Sequence, residues 1–333
     1  MTAFSRQSAD KSQQLIGRMF VLALSVLLLP LFAAAQSMTD QHMNHMLPTT
    51  DSAETQDWAR QRLSKSPRHQ EWVKVKNGNR EVNSFVVYPE VNKKATAVVV
   101  IHEIFGMTDW VQSLTDQLAE AGYIAIAPDL LSGMGPKGGG TSELAAVSSK
   151  AVGQAIGDLP PDQITSDLNA VADYVSKLPA ANGKVVVTGY CWGGSQSFRF
   201  ATNRPTLKAA FVFYGSAPTN NQAVDKEALA KIQAPVYGFY AGNDMRINAT
   251  LPATIEAMKE LKKTYDPVTY EGAGHGFMRA GDAPEPTPPV AKGDKEADDK
   301  SAAEYQKALT AYKANKKARD EAWVRWKEIL AKL

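Results

Sequence analysis

The 333-residue sequence holds one cysteine, Cys191. No intramolecular disulfide can form, so sulfur cross-links contribute nothing to the fold and the lone thiol needs another explanation. Charge of one sign is also lacking. Lysine and arginine number 37 against 35 aspartates and glutamates, a formal net charge of +2, so nothing in the charge points to a nucleic acid partner. Long apolar runs are absent apart from "MFVLALSVLLLPLFAAA", Met19 to Ala35. No cysteine follows that run, which excludes a lipoprotein anchor, and no Arg-Arg pair precedes it, which argues against twin-arginine export. There is no internal repeat.

What is present at the amino terminus reads as a targeting segment. Arg6, Lys11 and Arg18 form a positive flank, and Ala33 and Ala35 fit an A-x-A cleavage site before Gln36. The run spans about 17 residues, the short limit for a membrane-crossing helix, and Pro30 interrupts it. Residues 1–35 are therefore expected to be a signal peptide, with the mature protein exported, periplasmic or secreted. Its removal would take away Arg6, Asp10, Lys11 and Arg18, leaving a formally neutral chain with no stable membrane anchor and one unpaired thiol in an oxidising compartment. Residues 36–70 are polar and aperiodic and are expected to form a flexible arm. The arm carries Met38, His42, Met43, His45 and Met46. Thioether and imidazole ligands suit copper, but the spacing matches no rigid site, and no metal is assigned.

From about residue 72 short β-branched runs alternate with longer helical patterns. The segments 84–89, 95–103, 123–129, 184–190, 209–215, 234–242 and 266–272 read as strands, several of them apolar on consecutive residues as in a sheet buried on both faces. The segments 109–122, 160–178, 193–202 and 253–264 carry helical periodicity. This alternation predicts a single α/β domain over 71–333, a doubly wound, mostly parallel sheet with helices on both faces. Residues 281–300, proline-rich and then charged, read as a loop insertion. The final segment places Trp323, Trp326, Ile329 and Leu330 on one helical face that docks on the sheet.

Gly189, Cys191 and Gly193 form G-x-C-x-G between a buried-strand pattern and a helical one, within "TGYCWGGS". That is the setting of a nucleophile elbow with cysteine in the serine's place. A sharp strand-to-helix turn strains the nucleophile's backbone, needs small neighbours, and lifts the side chain toward a helix N-terminus that favours an anion. Buried filler in a glycine-rich turn is the competing reading of these residues alone. A free thiol has a pKa of about 8.5 and needs a base to become a nucleophile at neutral pH. "GAGHGF" supplies His275 in a glycine-flanked loop, and "YAGNDMRI" supplies Asp244 at a strand end, where an acid can hold the imidazole tautomer. The order nucleophile, acid, histidine is that of the α/β-hydrolase topology. In "VVVIHEIFGM", His102 and Glu103 close a strand, and the loop after it should supply one oxyanion-hole N–H from Ile104, the second coming from Trp192.

"HEIFG", "GYCWGG", "AGNDMRI" and "GAGHGFMR", together with "APDLLSG" at 127–133, resemble the dienelactone hydrolase family of the α/β-hydrolase fold in order and spacing. The resemblance covers about residues 72 to 281 and the last helix. It implies that Cys191 is the nucleophile, His275 the base and acid, and Asp244 the group that orients it. It also implies that Glu103 pairs with the thiol at rest and helps generate thiolate, and that Arg279 binds a substrate carboxylate. Such enzymes hydrolyse small lactones or esters without cofactor or metal. Two departures stand out. Family dienelactone enzymes use a second arginine between the glutamate and cysteine motifs, whereas this chain has none from 81 to 198. Lys150 lies in that interval, but a lysine does not reproduce a bidentate fork. The charged segment after Arg279 is longer than the family pattern.

The expected activity is hydrolysis of a small, anionic ester or lactone through a thioester on Cys191, with no cofactor. Two other classes also fit a lone thiol in this setting: a non-catalytic small-molecule binder on a hydrolase scaffold, and a redox-active thiol protein that would need an intermolecular partner.

Overall fold

The computed structural model describes residues 56–333 apart from 282. The expected signal peptide and the Met- and His-bearing part of the expected arm lie outside the described residues. Eight strands form one sheet: β1 (Gln70–Asn77), β2 (Arg80–Val87), β3 (Ala95–Ile101), β4 (Ile124–Pro128), β5 (Ala181–Tyr190), β6 (Ala210–Phe213), β7 (Val236–Ala241) and β8 (Tyr265–Tyr270). Their order across the sheet is β1-β2-β4-β3-β5-β6-β7-β8. The β1–β2 and β2–β4 pairs are antiparallel, and every other pair is parallel.

The consecutive apolar residues of the central strands serve two cores at once. In β3, Ala97, Val99 and Ile101 point to one face, and Val98 and Val100 to the other. This is the period-2 geometry of a strand covered on both sides. The helices, in chain order, are α1 (Asp57–Ser64), α2 (Asp109–Glu120), α3 (Thr141–Val147), α4 (Ser149–Gly157), α5 (Pro161–Ser176), α6 (Trp192–Asn203), α7 (Lys226–Ala230), α8 (Met245–Asn248), α9 (Leu251–Glu260) and α10 (Lys295–Leu330). Leu168, Val171 and Val175 of α5 and Phe198 of α6 cover the first face. Trp110, Leu114 and Leu118 of α2, with Ala318, Ala322, Trp326 and Leu330 of α10, cover the second.

Three stretches differ from the sequence-based expectation. The end of the expected arm is ordered: α1 packs on α2 through Arg60–Asp109 (2.9 Å) and Arg62–Glu120 (2.7 Å) ion pairs, and the Gln56 side-chain carbonyl accepts the Trp110 N–H at 2.8 Å. Only Ala59, with Trp58 and Leu63 beside it, joins the core, and the rest of the helix is held by polar partners, so no broad apolar stripe marks it. Strand β1 is largely solvent-facing, with Val75 as its buried residue, and gives little apolar signal. Helix α10 starts at Lys295, inside the segment read as a loop, because Asp294 caps it by accepting the Glu296 and Ala297 N–H groups at 3.1 and 3.3 Å. Among the described residues no helix is long and apolar enough to cross a membrane.

Candidate active site

The parallel strands β3, β5, β6 and β7 all end at one edge of the sheet, and the sequence-predicted residues collect there. Cys191 stands between β5 and α6 with φ 57° and ψ −121°, a strained conformation for a non-glycine residue. Its N–H donates to the Phe213 carbonyl at 3.1 Å, and its own carbonyl accepts from Gly194 and Ser195. The flanking glycines are steric requirements. A Cβ on Gly189 would collide with the Gly193 carbonyl, and one on Gly193 with the carbonyls of Ile101 and His102. The elbow is thus wedged between two neighbouring strand ends, and Cys191 is 6% exposed.

Asp244 follows β7 and caps α8, its Oδ1 accepting the Ile247 N–H at 3.3 Å. Its Oδ2 lies 2.5 Å from Nδ1 of His275, in the loop after β8. That loop is tied to the carboxy-terminal helix, because the Gly274 N–H donates to the buried side-chain carbonyl of Asn315 at 2.7 Å. Burial is the largest influence on His275 and pulls its pKa down. The charge of Cys191, the hydrogen bond with Asp244 and the hydrogen bond with Cys191 outweigh it and raise the pKa to about 10. For Asp244, burial alone would raise the carboxyl, but the hydrogen bond and charge of His275 leave it lowered. Asp244 and His275 thus form one hydrogen-bonded pair, on which the charge of Cys191 acts.

Glu103 and Arg279 form a second pair beside the first. Both are almost fully buried, and Arg279 Nε lies 3.8 Å from Glu103 Oε2. Oε1 of Glu103 makes no hydrogen bond. The resemblance implies a glutamate paired with the thiol at rest. Here the Glu103 carboxylate lies against the Arg279 guanidinium, a fixed positive charge, and the charge of Cys191 acts on His275. The Arg279 guanidinium also sits 5.8 Å above the Phe105 ring. Lys150 opens α4 with an exposed side chain.

The loop carrying Ile104 is braced by a residue whose sequence signal is only its place at a strand end. His102 is fully buried, its Nδ1 lies 2.8 Å from the Glu103 carbonyl, and its Nε2 accepts the Leu130 N–H at 3.3 Å. These contacts require the Nδ1–H tautomer. Burial lowers its pKa, partly offset by Asp129, so the ring is neutral. The Glu103 carbonyl and the Ile104 N–H belong to one peptide unit, so His102 orients the group that presents that N–H. Its ring stacks on Trp192 at 5.5 Å and 16°. Asp129 in turn accepts from the Thr141 N–H and hydroxyl, both at 2.8 Å, and Thr141 accepts the Met107 N–H at 3.1 Å.

A cavity of 830 Å³ opens elsewhere, beside the β1–β2 hairpin, lined by Lys74, Arg80, Asn83, Ser132, Gln163 and Ser166 among others. None of the candidate catalytic residues lines it. Among the described residues no group of three or more His, Cys, Asp or Glu side chains could hold a metal ion.

The sequence profile of the dienelactone hydrolase family matches residues 82–333. A Methylorubrum extorquens protein provisionally named carboxymethylenebutenolidase is 29% identical over 211 residues, 62% of this chain and 71% of that protein. A Salmonella typhi protein of the same provisional name is 30% identical over 185 residues, 54% of this chain and 67% of that protein. Among solved structures, a Klebsiella pneumoniae protein provisionally named dienelactone hydrolase superposes with a TM-score of 0.56 at 22% identity, over 74% of this chain and 98% of that one. A dienelactone hydrolase-like promiscuous phosphotriesterase from metagenomic libraries superposes with a TM-score of 0.53 at 22% identity, over 72% and 97%. At such identities the structures speak for the fold, and the sequence match carries the kinship. The chain belongs to the dienelactone hydrolase family, within the α/β-hydrolase superfamily, and is a hydrolase of ester or lactone bonds.

Proposed function

We propose that the protein hydrolyses a small, anionic ester or lactone through a thioester on Cys191. The observation that carries this reading is the juxtaposition of a strained elbow cysteine with the His275–Asp244 pair at 2.5 Å. The Cys191 thiolate attacks the substrate carbonyl carbon. Backbone N–H groups of Ile104 and Trp192 hold the oxyanion that forms. His275 gives its proton to the leaving oxygen, the carbon–oxygen bond breaks, and the thioester remains. The thiolate charge that raised the His275 pKa is then gone, so the imidazole becomes the base that takes a proton from water. Attack of that water on the thioester releases the acid and restores the thiolate. Glu103 stays ionised through the cycle and shares Arg279 with the incoming substrate carboxylate. No cofactor takes part in this scheme. The test is a hydrolysis screen of small lactones and aryl esters, with Cys191→Ala as control. No wild-type turnover of any ester or lactone would refute it.

Arg279 is the anion-binding residue in this scheme. Arg279→Ala should lower kcat/KM about tenfold for carboxylate-bearing esters relative to neutral ones, mainly through KM. Because the change leaves Glu103 buried without its cation, stability falls as well. The readout is therefore the anionic-to-neutral ratio rather than the rate, and an unchanged ratio would remove Arg279 from this role.

Export is part of the same proposal. The flank of Arg6, Lys11 and Arg18 before the apolar run, with Ala33 and Ala35, supports cleavage before Gln36. Amino-terminal sequencing of protein recovered from a bacterial periplasm or medium should begin at Gln36. Recovery of the uncut chain from the cytoplasm alone would overturn this.

A further inference from the structure

One buried polar group at the reaction centre has no part in the scheme above. Tyr214 directly follows β6 and is 0% exposed, yet its hydroxyl makes no hydrogen bond. Its ring lies 4.9 Å from the His275 ring and 5.3 Å from Phe277, and its oxygen is within electrostatic range of Glu103, Arg279 and Cys191. The backbone is strained as well, with φ 41° at a bulky residue. It is held in that state from both sides. The Tyr214 N–H donates to the Phe239 carbonyl at 2.8 Å, and Gly215 presses so closely on the start of α6 that a Cβ there would collide with the Ser195 N–H.

Both features cost stability. A donor taken out of water without a partner forfeits its hydration, and a non-glycine residue at positive φ is disfavoured. Two other fully buried tyrosines of the core show the ordinary solution: the Thr188 hydroxyl donates to Tyr190 at 3.3 Å, and Tyr240 shares a hydrogen bond with Tyr265 at 2.7 Å, whereas Tyr270, also buried, has an unbonded hydroxyl but lies away from the His275 ring. Tyr214 differs from them in packing its ring on the His275 imidazole. Burial first, and then the Glu103 charge, push its pKa well above the usual phenol value, so the hydroxyl keeps its proton and can only gain by donating it to an acceptor. Glu103 Oε1, also unbonded, does not take it. An incoming carboxylate would bring acceptor oxygens that suit the phenol and the Arg279 guanidinium together, and its charge would press on Glu103.

We infer that Tyr214 is a substrate-binding residue that donates its phenolic hydrogen to the carboxylate of the substrate, beside Arg279, and so sets the preference for anionic esters. This deepens the proposed function and rests on it for the reaction, though not for the preference. The test is Tyr214→Phe, which keeps the ring, its packing and its backbone. It is assayed on an aryl ester bearing a free carboxylate and on the isosteric neutral amide-capped ester. The ratio of the two kcat/KM values should fall about tenfold relative to wild type. The melting temperature should stay the same or rise, because the variant no longer buries an unbonded hydroxyl. An unchanged ratio, equal losses on both esters, or a clear drop in melting temperature would each overturn the assignment. The ratio is read on whatever ester hydrolysis the wild type performs. Independence of that hydrolysis from Cys191 would therefore sink the nucleophile while leaving the Tyr214 result readable.

Discussion

Cys191→Ala removes ester hydrolysis, lowering kcat by about 10⁴-fold or more, as loss of the nucleophile does where a triad acts as a unit. The fold survives. Alanine keeps the Cβ, the strained backbone at φ 57° is imposed by the wedge between the strand ends, and the sulfur contributes only part of a large apolar cluster. Thermal unfolding within a few degrees of wild type is the expected control. A second signature is chemical. With a slow aryl ester, wild type should accumulate an acyl adduct on Cys191, visible as added mass on the peptide containing it, and the variant should not. Hydrolysis by Cys191→Ala within tenfold of wild type would rule out the cysteine mechanism and return the thiol to the class of buried filler.

Asp244→Asn has the next largest effect, a fall in kcat of about 10³- to 10⁴-fold with KM little changed, the size seen when a triad acid becomes an amide. The substitution isolates catalysis from structure. Asparagine caps a helix as well as aspartate does, so the bond to the Ile247 N–H is kept while the charge opposite His275 Nδ1 is lost. The imidazole is then free to take the wrong tautomer. A pH signature accompanies the rate loss. Burial alone would lower the His275 pKa, but Cys191 and Asp244 raise it to about 10, above the ordinary histidine value near 6.5. Protonation therefore favours the folded state. That stabilisation is fully present below about pH 6.5 and is lost as pH rises toward 10. In Asp244→Asn the folded-state pKa is less raised, so less of this stability exists and it disappears at lower pH. Denaturant midpoints measured between pH 6.5 and 10 should fall more gently in the variant. Parallel curves for the two proteins would mean that Asp244 does not hold the imidazolium.

Much of this was readable residue by residue. The central strands announced themselves because both faces are covered, so apolar residues follow one another without the polar alternation of a half-exposed sheet. The elements that escaped notice are short or put few apolar residues into the core. Strand β1 faces solvent and pairs only with β2, α1 docks largely through arginine–carboxylate pairs, and α3 and α4 are short helices broken at Ser148, so the core residues Val152, Ala155 and Ile156 of α4 span too short a window to stand out. Cys191, His275 and Asp244 were legible because each sits in a turn whose local chemistry is written nearby. Tyr214, His102 and Asn315 were not. Tyr214 ends an apolar run like any other, His102 looks like a strand terminus, and Asn315 is one polar residue in a charged helix, until the contacts they make are known.

By itself, the order of the residues determined the layered α/β architecture, the elbow at Cys191 and the succession of nucleophile, acid and histidine, all of which depend on local backbone preference and burial period. Only the tertiary structure decided which side chains share a charge. Glu103 shares its charge with Arg279, and a tyrosine with an unbonded hydroxyl packs on the His275 ring. The physical reason is the sheet order. Placing β5 between β3 and β6 brings Glu103, Cys191 and Tyr214 to one edge from positions 88 and 23 residues apart, and no pattern along the chain encodes which strands become neighbours.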